Sequence, residues 1–175
     1  MPHIHTTRLL THPWRDLFDL VLDVKSYPQF VPHCRALRML SRHSNTSGES
    51  IIVSRMTVGF SALEVSYANR TVANSAARRI DIEALDGPLR YLRALWRFEP
   101  QIETHTWVYF SADYEFNSRL LTAIASRAFA AMLAEIPAAF ERRAGQLLPS
   151  AVRPAEWPPA QSLPSPAVPH ESVLF

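Results

Sequence analysis

Residues 106–140, TWVYFSADYEFNSRLLTAIASRAFAAMLAEIPAAF, change their hydrophobic period at the midpoint. As far as Phe116 the period is two: Val108, Phe110, Ala112, Tyr114 and Phe116 alternate with Tyr109, Ser111, Asp113 and Glu115. That is a strand with one apolar face. After Asn117 and Ser118, either of which can cap a helix, the period becomes helical. Leu121, Ala125, Ala128, Met132, Leu133, Ile136 and Phe140 then fall on one stripe. A helix from Arg119 to Leu148 is about 40 Å long at 1.5 Å per residue. Pro137 lies inside it and predicts a kink near Leu133, whose carbonyl the ring displaces.

Upstream, period two persists as far back as Cys34. Ile52, Met56, Val58 and Phe60 share one face, as do Leu63, Val65 and Tyr67. Ile80 and Ile82 oppose Arg79, Asp81 and Glu83; Leu92, Ala94, Trp96 and Phe98 oppose Arg93, Leu95 and Arg97. SNTSGE, GFSA, ANSA, DGP and EPQIE punctuate the strands as turns. The inward parity of 34–40 stays open. Residues 3–10 are extended. Next, Trp14, Leu17, Phe18, Val21 and Leu22 mark a helix with Thr11 as N-cap and Pro13 in its first turn. In DVKSYPQFVPHC, Pro28 disfavours helix at Tyr27 and so closes that helix. It also opens a very short second one over 29–31, and Pro32 restricts the exit. The elbow carries Tyr27, Phe30 and Val31, read either as an apolar, membrane-facing lip or as a structural corner under the long helix.

The expected order is strand, two short helices, six antiparallel strands and one long helix, an α+β chain. A sheet with one apolar face needs a cover, and only the last helix can supply it. A twisted sheet wrapped around one helix, the helix-grip arrangement, leaves a gap suited to a ligand. The alanine-rich stretch 123–134 presents small side chains to that gap, opposite the large ones on the sheet. The alternative is that the same apolar residues only make a core.

With 175 residues and 47% hydrophobic content, the chain can form one domain with a real core. That domain is expected over 1–147. Residues 148–175 hold half of the chain's prolines with no regular period, and are expected to be a disordered, Pro-rich tail. No window of eighteen or so apolar residues suggests a spanning helix. The N-terminus has neither a signal core nor a transit pattern, so the expected location is cytoplasmic, or peripheral at the inner membrane. The formal charge of +2 is mild, DNA is not an expected partner, and the single Cys34 excludes an intrachain disulfide.

Familiar chemical motifs are missing: there is no glycine-rich phosphate loop, HExxH pair or GxSxG elbow. Cys34 beside His33 is read as a packed cysteine, because neighbours on a strand face opposite ways. His3 and His5 lack a third ligand type, so no metal site is expected. Asp81 with Glu83 and Asp113 with Glu115 are read as solvated. For Arg90, Arg93 and Arg97 a solvated outer face, contact with a phosphate or lipid headgroup, and contact with RNA all stay open.

DLVLDVKSYPQFVPHC, DGPLRYLRALWRFEP and DYEFNSRLL followed by AFERRA occur in the order and spacing of the coenzyme Q-binding START-like family. The chain resembles that family over nearly all of 3–147. The family also holds the ribosome association toxin proteins, and has been labelled polyketide cyclase or lipid transport-like. Two positions depart from its pattern: Ala94 stands where glycine is usual, and Pro137 interrupts the final helix. The resemblance implies a helix-grip START-like fold and a non-catalytic chaperone for ubiquinone (coenzyme Q) or a similar prenylated lipid. Ubiquinone would be a bound ligand rather than a cofactor, and the work would support respiratory electron transport or quinone biosynthesis. The implied lining is Phe30, Val31, Met56, Val58, Phe60, Val65, Tyr67, Ile82, Leu92, Trp96, Phe98, Phe110, Tyr114, Phe129, Met132 and Leu133. Expected partners are the lipid and, transiently, a membrane surface. The alternatives are an inhibitor of ribosome association that binds the large subunit and, ranked last, a polyketide cyclase or aromatase. For the last, the inward face offers mainly Tyr67, Tyr114 and Ser54.

Overall fold

Seven antiparallel strands form one sheet in the order β1-β7-β6-β5-β4-β3-β2. The structure, a computed structural model, describes residues 2–149. The proposed tail from 150 onward therefore lies outside the described residues. The strands are β1 (His3–Leu10), β2 (Cys34–Ser44), β3 (Glu49–Phe60), β4 (Leu63–Asn74), β5 (Arg79–Ala84), β6 (Leu89–Ile102) and β7 (His105–Phe116). Sequential strands pair as hairpins, except that β1 joins the far edge beside β7. Successive β1 and β2 thus lie at opposite edges. The chain between them forms α1 (Trp14–Leu22), a 3₁₀ turn (Val24–Ser26) and α2 (Tyr27–Phe30). α3 (Arg119–Leu147) returns as the long cover, giving the helix-grip START-like α+β fold.

The period-two reading holds on every strand where a parity was assigned. β7 alternates without a break: Thr106, Val108, Phe110, Ala112, Tyr114 and Phe116 are buried and the intervening residues half-exposed. The open parity of β2 has a structural cause. A register shift between Cys34 and Ala36 turns Leu37 and Met39 toward the core while Ala36 and Arg38 face out, and a second shift follows between Met39 and Ser41. One added residue reverses every side chain beyond it, which no alternation rule can anticipate. At the β5–β6 turn, Gly87 has φ +88°, and a Cβ there would lie 2.7 Å from the Ser66 carbonyl oxygen. Only glycine fits that position.

Three local expectations at the elbow are corrected. Pro13, not Thr11, is the N-cap of α1, and no side chain caps it. α1 stops at Leu22, ahead of Tyr27. Tyr27 is helical at φ −52° and ψ −42° despite the following Pro28, so α2 spans Tyr27–Phe30 instead of 29–31. Tertiary contacts override the local steric preference here. The Tyr27 hydroxyl donates to the Val21 carbonyl at 2.5 Å, and its ring packs edge-on against Phe30 and Phe140 at 5.9 and 5.4 Å.

Ser118 caps α3 by accepting from the Leu121 N–H at 3.5 Å. The helix runs unbroken through Pro137 to Leu147. Its buried face is Ala125, Phe129, Met132, Leu133, Pro137, Ala139, Phe140 and Ala144. Leu121, Ala128 and Ile136, expected in the stripe, are only half-buried, and Phe129 takes the central place. Of the alanines in 123–134, Ala125 is buried and Ala128 and Ala130 pack against the core, while Ala123, Ala131 and Ala134 face outward. By length and composition α3 is also apolar enough to cross a membrane, contrary to the sequence reading. In this fold it covers the sheet.

Candidate functional site

Between α3 and the sheet lies an apolar cavity of ≈ 60 Å³. Its origin is in the sheet. Where the neighbouring core carries Phe98, Tyr114 and Phe129, the cavity floor carries Ser54 (β3), Asn69 and Thr71 (β4) and Ala94 (β6). Strand register brings them together: Ser54 faces Asn69, and Thr71 faces Ile82, which faces Ala94. The helix roofs this floor with Met132, Leu133, Ile136 and Phe140, and the elbow closes one side with Val24, Tyr27 and Val31. The space therefore comes from small residues on the sheet under large ones on the helix, the reverse of the expected arrangement.

Nine of the sixteen expected ligand residues line the cavity: Val31, Met56, Tyr67, Ile82, Leu92, Trp96, Phe110, Met132 and Leu133. The cavity does not reach the other seven. Phe98 walls a void near α1 too small for a water molecule. Val58, Val65, Tyr114 and Phe129 are packed core; the Phe129 ring lies 4.8 Å from Tyr114 and 6.2 Å from Phe60. Phe60 faces an open surface hollow of ≈ 550 Å³ between the β3–β4 turn and α3, walled also by Leu63, Ile124, Ala125 and Ala128. The Phe129 ring packs against Phe60, which lines that hollow, and against Tyr67, which lines the cavity. Phe30 is half-exposed on the rim, its ring 4.9 Å from Phe140 and capped by the Arg143 guanidinium at 5.2 Å. Val31 is buried in the cavity wall. Val31 packs as the corner reading expects, while Phe30 stays half-exposed at the rim.

The sequence reading missed Val24, Leu37, Asn69, Thr71, Ile136 and Phe140 as lining residues. Asn69 and Thr71 had a signal: they continue the parity of Val65 and Tyr67 along β4. Both are buried, at 7% and 3% exposure, as is Ser54 at 2%. The Asn69 Oδ1 is sealed from solvent with no hydrogen-bond partner. The hydroxyls of Ser54 and Thr71 make no hydrogen bond to another described residue. No Asp, Glu, Lys, Arg or His lines the cavity. Burial pushes the Tyr67 phenol, and that of Tyr27, well above the usual tyrosine range, as a low-dielectric pocket does. Their protons are committed: Tyr67 to the Met56 sulfur at 3.8 Å, Tyr27 to Val21.

Other candidates from the sequence resolve into structural contacts. Burial pushes the Cys34 thiol up to about 11, and its Sγ donates to the Ala36 carbonyl at 3.7 Å. His33 sits in the left-handed region at φ +59°, with its Nδ1 3.2 Å from the Gly59 carbonyl. His3 pairs with Asp113 at 2.6 Å. On the outer face Arg90 pairs with Glu115, and Arg97 with Glu99 while stacking on Tyr109; Arg70 and Arg79 hold Glu83 and Asp81. Arg93 faces Glu83 on one side and Asp113 on the other. Edge strand β2 is different. Arg35, Arg38 and Arg42 are exposed, His43 follows them, and the strand has no acidic residue.

The model of the family described as polyketide cyclase / dehydrase and lipid transport matches residues 10–141. The ribosome association toxin RatA of Rickettsia prowazekii is 31% identical over 81% of this chain and 95% of its own length. The mitochondrial coenzyme Q-binding protein COQ10 homolog B of Xenopus laevis is 27% identical over 81% of this chain and 57% of its length. A START superfamily protein from Mycobacterium smegmatis superposes with a TM-score of 0.68 at 16% identity, covering 83% of this chain and 98% of that one, a likeness of fold. With three quarters of its length inside the family model, the chain belongs to the polyketide cyclase / dehydrase and lipid transport family.

Proposed function

We propose that this protein binds and carries a ubiquinone-type prenylated lipid without changing it chemically, in support of respiratory electron transport or quinone biosynthesis. The observation that carries this reading is the cavity: uncharged, walled by aromatic and aliphatic side chains, with Ser54, Asn69 and Thr71 as a polar floor. The coenzyme Q-binding relative supports it. At ≈ 60 Å³ the cavity has room for about two waters, whereas ligand pockets run to roughly 300 Å³ or more. Loading therefore opens the fold. Pro137 offers the hinge, since it has no N–H for the Leu133 carbonyl, and the half of α3 before it carries the roof residues Met132, Leu133 and Ile136. Swinging Phe129 aside would join the cavity to the outer hollow and give a prenyl tail its path.

Burying the tail gains about 25 cal/mol per Å² in the protein, and nearly as much in a bilayer. Transfer is then close to neutral, and exchange belongs at the membrane surface. Leu120 and Ile124, 68% and 60% exposed, stand beside the outer hollow with Arg119 and Arg127 on the same helix. That face, not the elbow, suits contact with anionic lipid at the cytoplasmic side of the inner membrane. The test is purification from a quinone-containing host, organic extraction and an absorbance spectrum before and after borohydride. A quinone band that collapses on reduction is expected. A blank extract, together with no uptake from quinone-loaded vesicles, overturns the reading.

One observation favours a second reading, association with the large ribosomal subunit. Arg35, Arg38 and Arg42 make an unpaired basic edge at β2, and the Rickettsia relative is a ribosome association toxin. If this edge meets RNA phosphates, cosedimentation with large subunits falls steeply with salt, and replacing the three arginines with alanine flattens that slope by about three. Salt-insensitive or absent cosedimentation removes this reading.

A further inference from the structure

The floor of the cavity is polar in a way the rest of the fold does not require. Three buried polar side chains, Ser54, Asn69 and Thr71, meet on neighbouring strands, and the Asn69 Oδ1 has neither solvent nor a donor. An orphaned buried acceptor costs stability, so a purely structural core would carry an aliphatic residue there. The floor offers donors as well, the Asn69 amide N–H pair and the two hydroxyls, but its orphaned atom is an acceptor. The Asn69 carbonyl needs a donor, and each hydroxyl oxygen can accept as well as donate. The tyrosine protons of the cavity wall are already used, by Met56 for Tyr67 and by Val21 for Tyr27. No cation lines the space to hold a carboxylate, phosphate or phenolate, and no carboxylate lines it to hold an amine. What fits is neutral, flat and hydroxylated.

We propose that Ser54, Asn69 and Thr71 read the ligand's head group and select a neutral ring bearing hydroxyls, a hydroquinone or phenol, over the same ring bearing only carbonyls. This rests on the carrier reading and sharpens it: the reduced form of the lipid is the preferred cargo. A hydroquinone O–H donates to the Asn69 Oδ1, and its oxygen can accept from Ser54 or Thr71. A quinone offers only acceptors and leaves Oδ1 unpaired.

The experiment uses the full chain, a short-tailed ubiquinone, and its chemically reduced form in deoxygenated buffer. Binding is read from intrinsic fluorescence, to which Trp96 in the cavity wall contributes. The reduced form is expected to bind about tenfold more tightly, the ratio that one net buried hydrogen bond of about 1.4 kcal/mol provides. Asn69→Leu should erase that preference by weakening the reduced form about tenfold. It should weaken the oxidised form less, since only the amide N–H is lost to a quinone carbonyl, and leave the ligand-free Tm unchanged or raised, because the orphan is gone. Thr71→Val, a near-isosteric change, should weaken the reduced form in the same direction and stands in if the leucine variant fails to fold. Equal affinity of the wild type for both forms overturns the proposal while leaving the carrier reading intact. A preference that survives both substitutions does the same, and would mean that the floor holds water only. Binding of neither form defeats the carrier reading itself.

Discussion

Ala94→Val tests the cavity directly. The Ala94 side chain enters the space from β6, beside Trp96 and across the sheet from Ile82. Valine suits a strand interior and adds two carbons pointing into the void. Two routes give the magnitude. A void costs about 24 cal/mol per Å³, so ≈ 60 Å³ amounts to roughly 1.4 kcal/mol. Two buried carbons at about 0.8 kcal/mol each give nearly the same figure. The ligand-free variant should therefore be about 1–1.5 kcal/mol more stable than wild type. For a folded unit of this size that is a Tm increase of about 3–5 °C. The same carbons occupy the ligand's space, so quinone recovered by extraction should fall sharply. Urea denaturation of delipidated protein and the extraction spectrum read the two effects separately. A loss of 1 kcal/mol or more would show that the space does not exist as described. Unchanged quinone content with raised stability would show that the ligand sits elsewhere, with the outer hollow at Phe60 and Ile124 the next place to look.

Two further outcomes concern the frame around the site. Hydrogen bonds from Arg55 and from the Ala68 N–H hold the Asp86 carboxyl below the usual aspartate range. A depressed folded pKa contributes stability that is present above the unfolded value of about 3.9 and is lost as pH falls through the folded value. Asp86→Asn should thus be less stable at pH 7, by under about 1 kcal/mol because the pair is screened by solvent, and the difference should close in acid urea titrations below about pH 4. The Cys34 thiol, pushed up to about 11 and buried, should resist a thiol reagent at pH 8 in the folded protein and react at once in denaturant. Fast labelling of the native protein would mean that the elbow opens far more readily than its Tyr27–Phe30–Phe140 packing implies.

The architecture was legible because it rests on periodicity. β7 alternates across its whole length and then gives way to α3 at Ser118, and each upstream strand shows the same two-residue beat. Legibility failed where a single residue breaks the beat or a distant contact overrides local preference. The β2 bulge is the first kind. Tyr27 is the second: its helical backbone ahead of Pro28 is held by Val21 and Phe140, the latter more than a hundred residues away. On α3 the expected Ala125, Met132, Leu133 and Phe140 are buried, while Leu121, Ala128 and Ile136 pack at the edge of the buried face. A 3.6-residue stripe can be drawn through Leu121, Ala128 and Ile136 or, one position later, through Phe129, Pro137 and Ala144. The sheet's side chains, not the helix sequence, decide which stripe is buried.

The site was less legible for a related reason. Hydrophobic patterning selects large apolar residues as ligand contacts, yet a cavity forms where such residues are missing. Phe98, Tyr114 and Phe129 fill their own space and so leave none for a guest. Ser54, Asn69, Thr71 and Ala94 leave space because they are short. Ser54 and Ala94 already lay on an inward parity, and reading parity without regard to polarity would have added the other two: on β4 the inward series Val65, Tyr67, Asn69, Thr71, Ala73 changes from apolar to polar midway while burial stays constant. A polar residue on an inward parity in mid-strand costs stability unless something answers it. Here no protein group answers the Asn69 Oδ1. That uncompensated cost, lying where the cavity opens between the sheet and α3, is a physical reason to test the cavity as a ligand site.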